Sequence, residues 1–213
     1  MRRPSWTERI LAILVLGGLY VFIAWTCAVG AEIPSPLAEV KETAEGIRQT
    51  VKDPNLTGEA KKKNRQARIR ELLFMRLDFN EMAKRSLGSA WKNLTDPEKT
   101  EYIEVFSKFI EVFYRKRVFT ASEFINSVDI KYGKERIDEN FAEVEIKIAD
   151  APEDIAVLLK LHFVDGHWKA YDLIIANVST ILNWRSQFAR VIQKKSFTEL
   201  LQILKNKIIE LDD

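Results

Sequence analysis

The 213-residue sequence predicts an α+β domain in which helices come first, a four-stranded twisted antiparallel sheet follows, and helices return at the end. Three observations carry this reading. Up to about Asn126 the apolar residues recur three and four apart, the helical period. From Val128 to Ala176 they alternate with polar residues, the strand period, and after that the helical spacing resumes. Strands gathered into one block between helices favour α+β over a βαβ repeat.

Taken in order, Leu37, Val40, Ala44, Ile47 and Val51 form the apolar stripe of a first helix, which Asp53, Pro54, Asn55 and Gly58 break. A basic run from Lys61 to Arg70 reads as a solvated helix face leading into Leu72, Leu73, Phe74 and Leu77, or as a contact for lipid headgroups or an acidic partner. Asp78 is placed to cap a short helix that Gly88 ends. Thr95 and Glu98 have capping-box spacing and open a helix to about Phe119. Its apolar stripe, with Tyr102, Phe106, Phe109 and Phe113 on one line and Ile103, Val105, Ile110 and Val112 beside it, is wider than one neighbour requires, which marks it as central.

Four alternating runs then follow: Val128 to Tyr132, Ala142 to Ile148, Ile155 to Phe163, and His167 to Ala176. The Asp165-Gly166 pair joins the last two as a tight hairpin, and short turns throughout imply a meander with one buried and one wet face. Ile181, Leu182, Trp184, Phe188, Val191 and Ile192, then Phe197, Leu200, Leu201, Leu204 and Ile208, supply the closing helices.

Composition bounds the function. Hydrophobic content of 46% with 30% charged residues is that of a globular chain, and a net charge of +2 gives no preference for nucleic acid. Arg2, Arg3 and Arg9 precede an uncharged stretch, Ile10 to Ala31, that ends in small residues, so residues 1–31 read as a signal peptide or an uncleaved anchor and 32–213 as a single domain facing outward. The sole cysteine, Cys27, lies in that leader, which leaves the domain without a disulfide.

Motifs for chemistry are lacking. His162 and His167 flank one turn and fall short of the three or four groups of a metal site, and no nucleophile-elbow, zinc-protease, Walker or dinucleotide pattern occurs. Asp172, in a strand, reads as a hydrogen-bonding residue at a sheet end. No cofactor is implied.

Two segments read together are more specific. The first is Leu77-Asp78-Phe79-x-x-Met82-Ala83-x-x-x-Leu87-Gly88-x-x-Trp91, followed by Leu94-Thr95-x-Pro97. The second is Gly166-x-Trp168-Lys169-x-Tyr171-Asp172-Leu173-x-Ile175, running through Val178-Ser179 to Trp184-Arg185-Ser186-Gln187-Phe188. In this combination the chain resembles the MlaC family, the toluene-tolerance auxiliary component of ABC transporters, from about Ile33 to Lys207. Asn177 departs from it, since glycine is usual there.

The resemblance implies a cystatin-like or nuclear-transport-factor-like fold, a twisted antiparallel sheet wrapped by helices around a deep apolar pocket. It also implies a non-enzymatic periplasmic phospholipid carrier between an inner-membrane complex of an MCE protein and an ABC transporter and an outer-membrane lipoprotein complex, maintaining outer-membrane lipid asymmetry. A related branch, HpnM, is associated with hopanoids. The alternatives are another apolar small-ligand binder, a small cone-fold enzyme, which would need a polar group deep in its pocket, and a structural adaptor. Under the carrier reading the expected lining is Phe79, Met82, Leu87, Phe106, Phe109, Phe113, Val144, Ile146, Val157, Leu159, Leu173, Ile175 and Phe188, with Lys169 and Arg185 at the pocket mouth or a docking surface. Trp91 and Trp168 read as structural anchors.

Overall fold

The computed structural model describes residues 33–123, 125–149 and 154–212. The leader expected at residues 1–31 lies outside them. Helix α1 is Pro36–Lys52, α2 Lys62–Phe74, α3 Phe79–Leu87 and α4 Asp96–Glu123. Strands β1 Asp129–Asp138, β2 Phe141–Ala149, β3 Ile155–Val164, β4 His167–Ile175 and β5 Val178–Ser179 follow, then α5 Thr180–Lys194 and α6 Phe197–Asp212. The α+β arrangement is therefore present, with one correction: the sheet has five strands, not four, in the order β1-β2-β3-β4-β5. The fifth has two residues, too few to show an alternation. It exists because Ala176 and Asn177, with φ of 47° and 64°, turn the chain back onto Ile174 and Ile175. Asparagine tolerates that left-handed angle, which reconciles position 177 with the glycine usual there.

Every strand pairing is antiparallel and joins neighbours in sequence. The Asp165-Gly166 hairpin has positive φ at both residues, 54° and 77°, as a two-residue turn matched to strand twist requires. Register aligns the apolar residues on one face. Ile148 pairs with Ile155, Ile146 with Val157, Val144 with Leu159 and Ala142 with Leu161; Val157 and Leu159 in turn pair with Ile175 and Leu173.

Helix starts are capped by side chains, at α3 and α4 those that the sequence signalled and at α1 one that it did not. Ser35 caps α1, its hydroxyl accepting from the Ala38 amide at 3.1 Å, and Glu135 of β1 adds a carboxylate that accepts from the Leu37 amide at 2.9 Å and the Ser35 hydroxyl at 2.8 Å. A negative group at that position also suits the helix dipole. Asp78 caps α3 through the Glu81 amide at 3.0 Å. At α4 the Glu98 carboxylate accepts from the Thr95 amide at 2.8 Å, as a capping box requires, but the Thr95 hydroxyl donates to the same carboxylate. Helix α4 also runs four residues past Phe119.

Two cores result. One lies among α3, α4, α5 and α6, around Tyr102, Phe106, Phe109, Trp184, Phe188 and Leu204, with Tyr171 of β4 reaching into it. Its rings interlock: Phe109 and Phe113 each meet Trp184 edge-on with centroids 5.0 Å apart, and Phe106 meets Phe188 at 6.3 Å. Such pairs each add about 0.5–1.5 kcal/mol beyond area burial. The second core lies under the apolar sheet face, around Val144, Leu161 and Trp168, with Leu37 and Val40 of α1 packed on it.

Gly88 closes α3 with φ 58°, and a Cβ built there falls 2.3 Å from Nε of Arg185. Gly88→Ala is expected to lower stability by about 1–2 kcal/mol, the cost of a left-handed angle for an L side chain, read from the urea midpoint. Adding Arg185→Ala should recover little of it, because the Arg185 side chain can move aside and the backbone angle cannot.

Candidate functional site

A cleft of about 220 Å³ opens between α1 and the apolar sheet face. One wall is the inner side of α1, with Val40, Ala44 and Ile47 at helical spacing; the other is Leu159, Leu161, Trp168, Ala170 and Leu173 of β3 and β4. Leu73 at the end of α2, Leu77 just after it, and Ile125 complete the apolar lining.

The cleft has two unlike ends. At one, Glu39 and Arg76 face each other. The buried Glu39 carboxylate accepts from the Arg76 guanidinium and from the Trp168 amide at 3.1 Å, and it lies 3.4 Å from Nδ1 of His167. Arg76 also reaches Glu42 at 3.2 Å, and the Trp168 indole donates to the Pro34 carbonyl at 2.6 Å. These charges are thus committed to one another. At the other end the apolar face runs on past Leu159 and Leu173 to Val157, then to Ile175 and Ile155, which are 45% and 39% exposed, and to Val178, at 61%. The Arg48 guanidinium, donating to the Val128 carbonyl at 3.4 Å, ties the C-terminal part of α1 to the start of β1 at this open end.

The structure distributes the residues expected to line a pocket over these regions. Phe79, Met82, Leu87, Phe106, Phe109, Phe113 and Phe188 pack together in the helical core. Val144, Ile146 and Leu159 belong to the sheet core, and Leu159 and Leu173 line the cleft itself. Val157 is half-buried and Ile175 exposed at its open end. Lys169 is paired with Asp165 across the hairpin at 2.9 Å, and Arg185 lies exposed against Gly88. Sequence reasoning did not assign Val40, Ala44, Ile47, Leu161 or Ala170 to the site. The signal was present, however, in the three-four spacing of α1 and in the face that Leu161 shares with Leu159.

The polar residues singled out in the sequence have structural partners. Asp172 accepts from the Ser179 hydroxyl at 2.5 Å and the Ile181 amide at 3.0 Å, which fastens α5 to β4. His162 meets Asp78 at 2.7 Å and stacks on Phe141. The most strongly perturbed group is Tyr102, whose hydroxyl is pushed well above its ordinary range by burial, partly offset by its 2.7 Å contact with Ser86. It lies in the helical core and not at the cleft. Among the described residues no helix is long and apolar enough to cross a membrane.

A meander sheet with an apolar cleft beneath one amphipathic helix defines an α+β domain with a built-in apolar groove. The model of the MlaC protein family matches residues 41–206. The chain belongs to the MlaC family. Among characterised relatives, the intermembrane phospholipid transport system binding protein MlaC of Haemophilus influenzae is 27% identical over 124 residues, an alignment covering 54% of this chain and 57% of that protein. It thus spans little more than half the length of the relative. A solved phospholipid-binding protein from Ralstonia solanacearum, in complex with a phospholipid, superposes with a TM-score of 0.68 over 84% of this chain and 100% of that one. Its identity of 21% makes the likeness one of fold.

Glu39→Ala leaves Arg76 and the Trp168 amide without their shared acceptor and is expected to cost about 1–3 kcal/mol in urea unfolding. Glu39→Gln, which keeps an oxygen for the amide, should cost less.

Proposed function

We propose that this protein is a periplasmic phospholipid carrier whose acyl tails lie on the apolar sheet face beneath α1. The observation that carries the reading is the apolar face itself, which continues from the buried cleft past the half-buried Val157 to the exposed Ile175, while the Glu39–Arg76 pair at the other end is already satisfied. Family membership, the phospholipid transport protein of Haemophilus influenzae and the lipid-bound fold of the Ralstonia solanacearum protein support it.

The energetics require enclosure. Leaving an acyl chain of ~16 carbons in water costs about 12 kcal/mol at roughly 0.8 kcal/mol per methylene. The cleft of about 220 Å³ is smaller than the roughly 300–1,000 Å³ of a drug-sized site, so the tails extend beyond it onto Ile146, Val157 and Ile175, and α1 moves outward as they enter. Among the described residues the charged side chains that line the cleft, Glu39 and Arg76, are engaged with each other, which favours holding a ligand over transforming it. In this reading the partners are an inner-membrane complex of an MCE protein and an ABC transporter and an outer-membrane lipoprotein complex, and the leader takes the domain across the inner membrane.

Organic extraction of the purified protein followed by mass spectrometry is expected to return phospholipid near one molecule per chain. A protein that stays lipid-free even after incubation with phospholipid vesicles would overturn the proposal. Val157→Glu and Ile146→Lys, with folding checked by circular dichroism, should abolish loading; loading equal to the parent protein would remove those side chains from the lining.

A further inference from the structure

We propose that the closed end of the cleft, formed by Leu161, Trp168 and Ala170 behind the Glu39–Arg76 pair, sets the length of acyl chain that the protein carries. This rests on the carrier reading and adds a specificity device to it.

The direction in which a tail lies follows from the charges. An anionic headgroup at the Arg76 end would meet the carboxylates of Glu39 and Glu42, and the Arg76 guanidinium is already shared between them. At the opposite end the face opens to water at Ile155, Ile175 and Val178, where a headgroup stays hydrated. Tails therefore enter methyl-first and run toward Leu161 and Ala170. From Ile155 back to Leu161 the strand covers about 20 Å at roughly 3.3 Å per residue, enough for a tail that fills about 15 Å, half of a bilayer core of ~30 Å.

What stops the tail is rigid. Leu161 and Trp168 are each 2% exposed and Ala170 is 7% exposed. Ala170 cannot shift, because its amide donates to the Arg76 carbonyl at 2.7 Å and its carbonyl accepts from the Asp78 amide at 2.9 Å. The Trp168 indole is held by Pro34 and its amide by Glu39. A chain too long for the groove must leave methylenes at the open end in water, which disfavours it about fourfold per carbon. Ala170 is the smallest side chain at the stop, so its size decides how far a methyl group penetrates.

The test uses the purified protein, stripped of lipid and incubated with vesicles of equal parts dimyristoyl, dipalmitoyl and distearoyl phosphatidylglycerol, with bound lipid read by mass spectrometry. Ala170→Leu is expected to shift the bound mixture toward the myristoyl lipid and Leu161→Ala toward the stearoyl lipid, each by about fourfold per carbon of changed depth. Leu182→Ala, on the exposed side of α5, should keep the parent distribution. The two substitutions act in opposite directions, so one that fails to fold leaves the other to decide. Bound mixtures indistinguishable from the parent protein in the folded variants overturn the stop while leaving the carrier reading intact. A parent protein that takes up none of the three lipids overturns the carrier reading and the stop with it.

Discussion

The architecture depends on a single short bridge between Leu77 and Ala170. The Arg76-Leu77-Asp78 segment lies alongside β4 in parallel, with the Ala170 amide donating to Arg76 and the Asp78 amide donating to Ala170. Ala170 presents both groups outward beside the register shift between β3 and β4 at Lys160 and Leu161. Each residue of the segment then acts in a different direction. Arg76 reaches Glu39 of α1, Leu77 enters the sheet core, and the Asp78 carboxylate caps α3 and meets His162 of β3. The helix that covers the cleft and the helix that opens the aromatic core are thus both referenced to one point of the sheet. Buried polar groups gathered in this way are tolerable only because each has a partner.

That junction separates two kinds of interior. On one side the rings of α4 and α5 meet edge to face and α6 packs its leucines against them. On the other, α1 offers Val40, Ala44 and Ile47 to the sheet, a stripe too slight to fill the gap above Leu159 and Leu173. A close-packed body therefore supports a loosely covered face. Close packing resists deformation, and a sheet face with a gap beneath its one covering helix resists it less.

Most of the fold could be read from the residues, because each element declares itself locally. The three-four spacing of α1, the Asp78 cap, the Thr95–Glu98 box, the Asp165-Gly166 turn and the period-two runs of β2 and β3 are contacts between near neighbours. The two-residue β5 escaped because it depends on the backbone angles of Ala176 and Asn177, which composition does not fix. The site was less legible. A wide aromatic stripe on a central helix has the same pattern whether it faces a cavity or three packed helices, and here Phe106, Phe109 and Phe113 meet Phe188 and Trp184. Glu39 and Arg76, 37 positions apart, gave no sign in sequence that they would meet.

The meander also has a kinetic meaning. Its strand pairings close only short loops, so the sheet has low contact order and its apolar face can assemble early. The contacts that lay α1 over that face join residues far apart: Ser35 to Glu135 across 100 positions and Glu39 to Trp168 across 129. Closing such loops is entropically slower, and α1 takes no part in the strand ladder. The last surface to be covered as the chain folds is accordingly the first that can be uncovered with every strand pairing intact, and it is the greasy one.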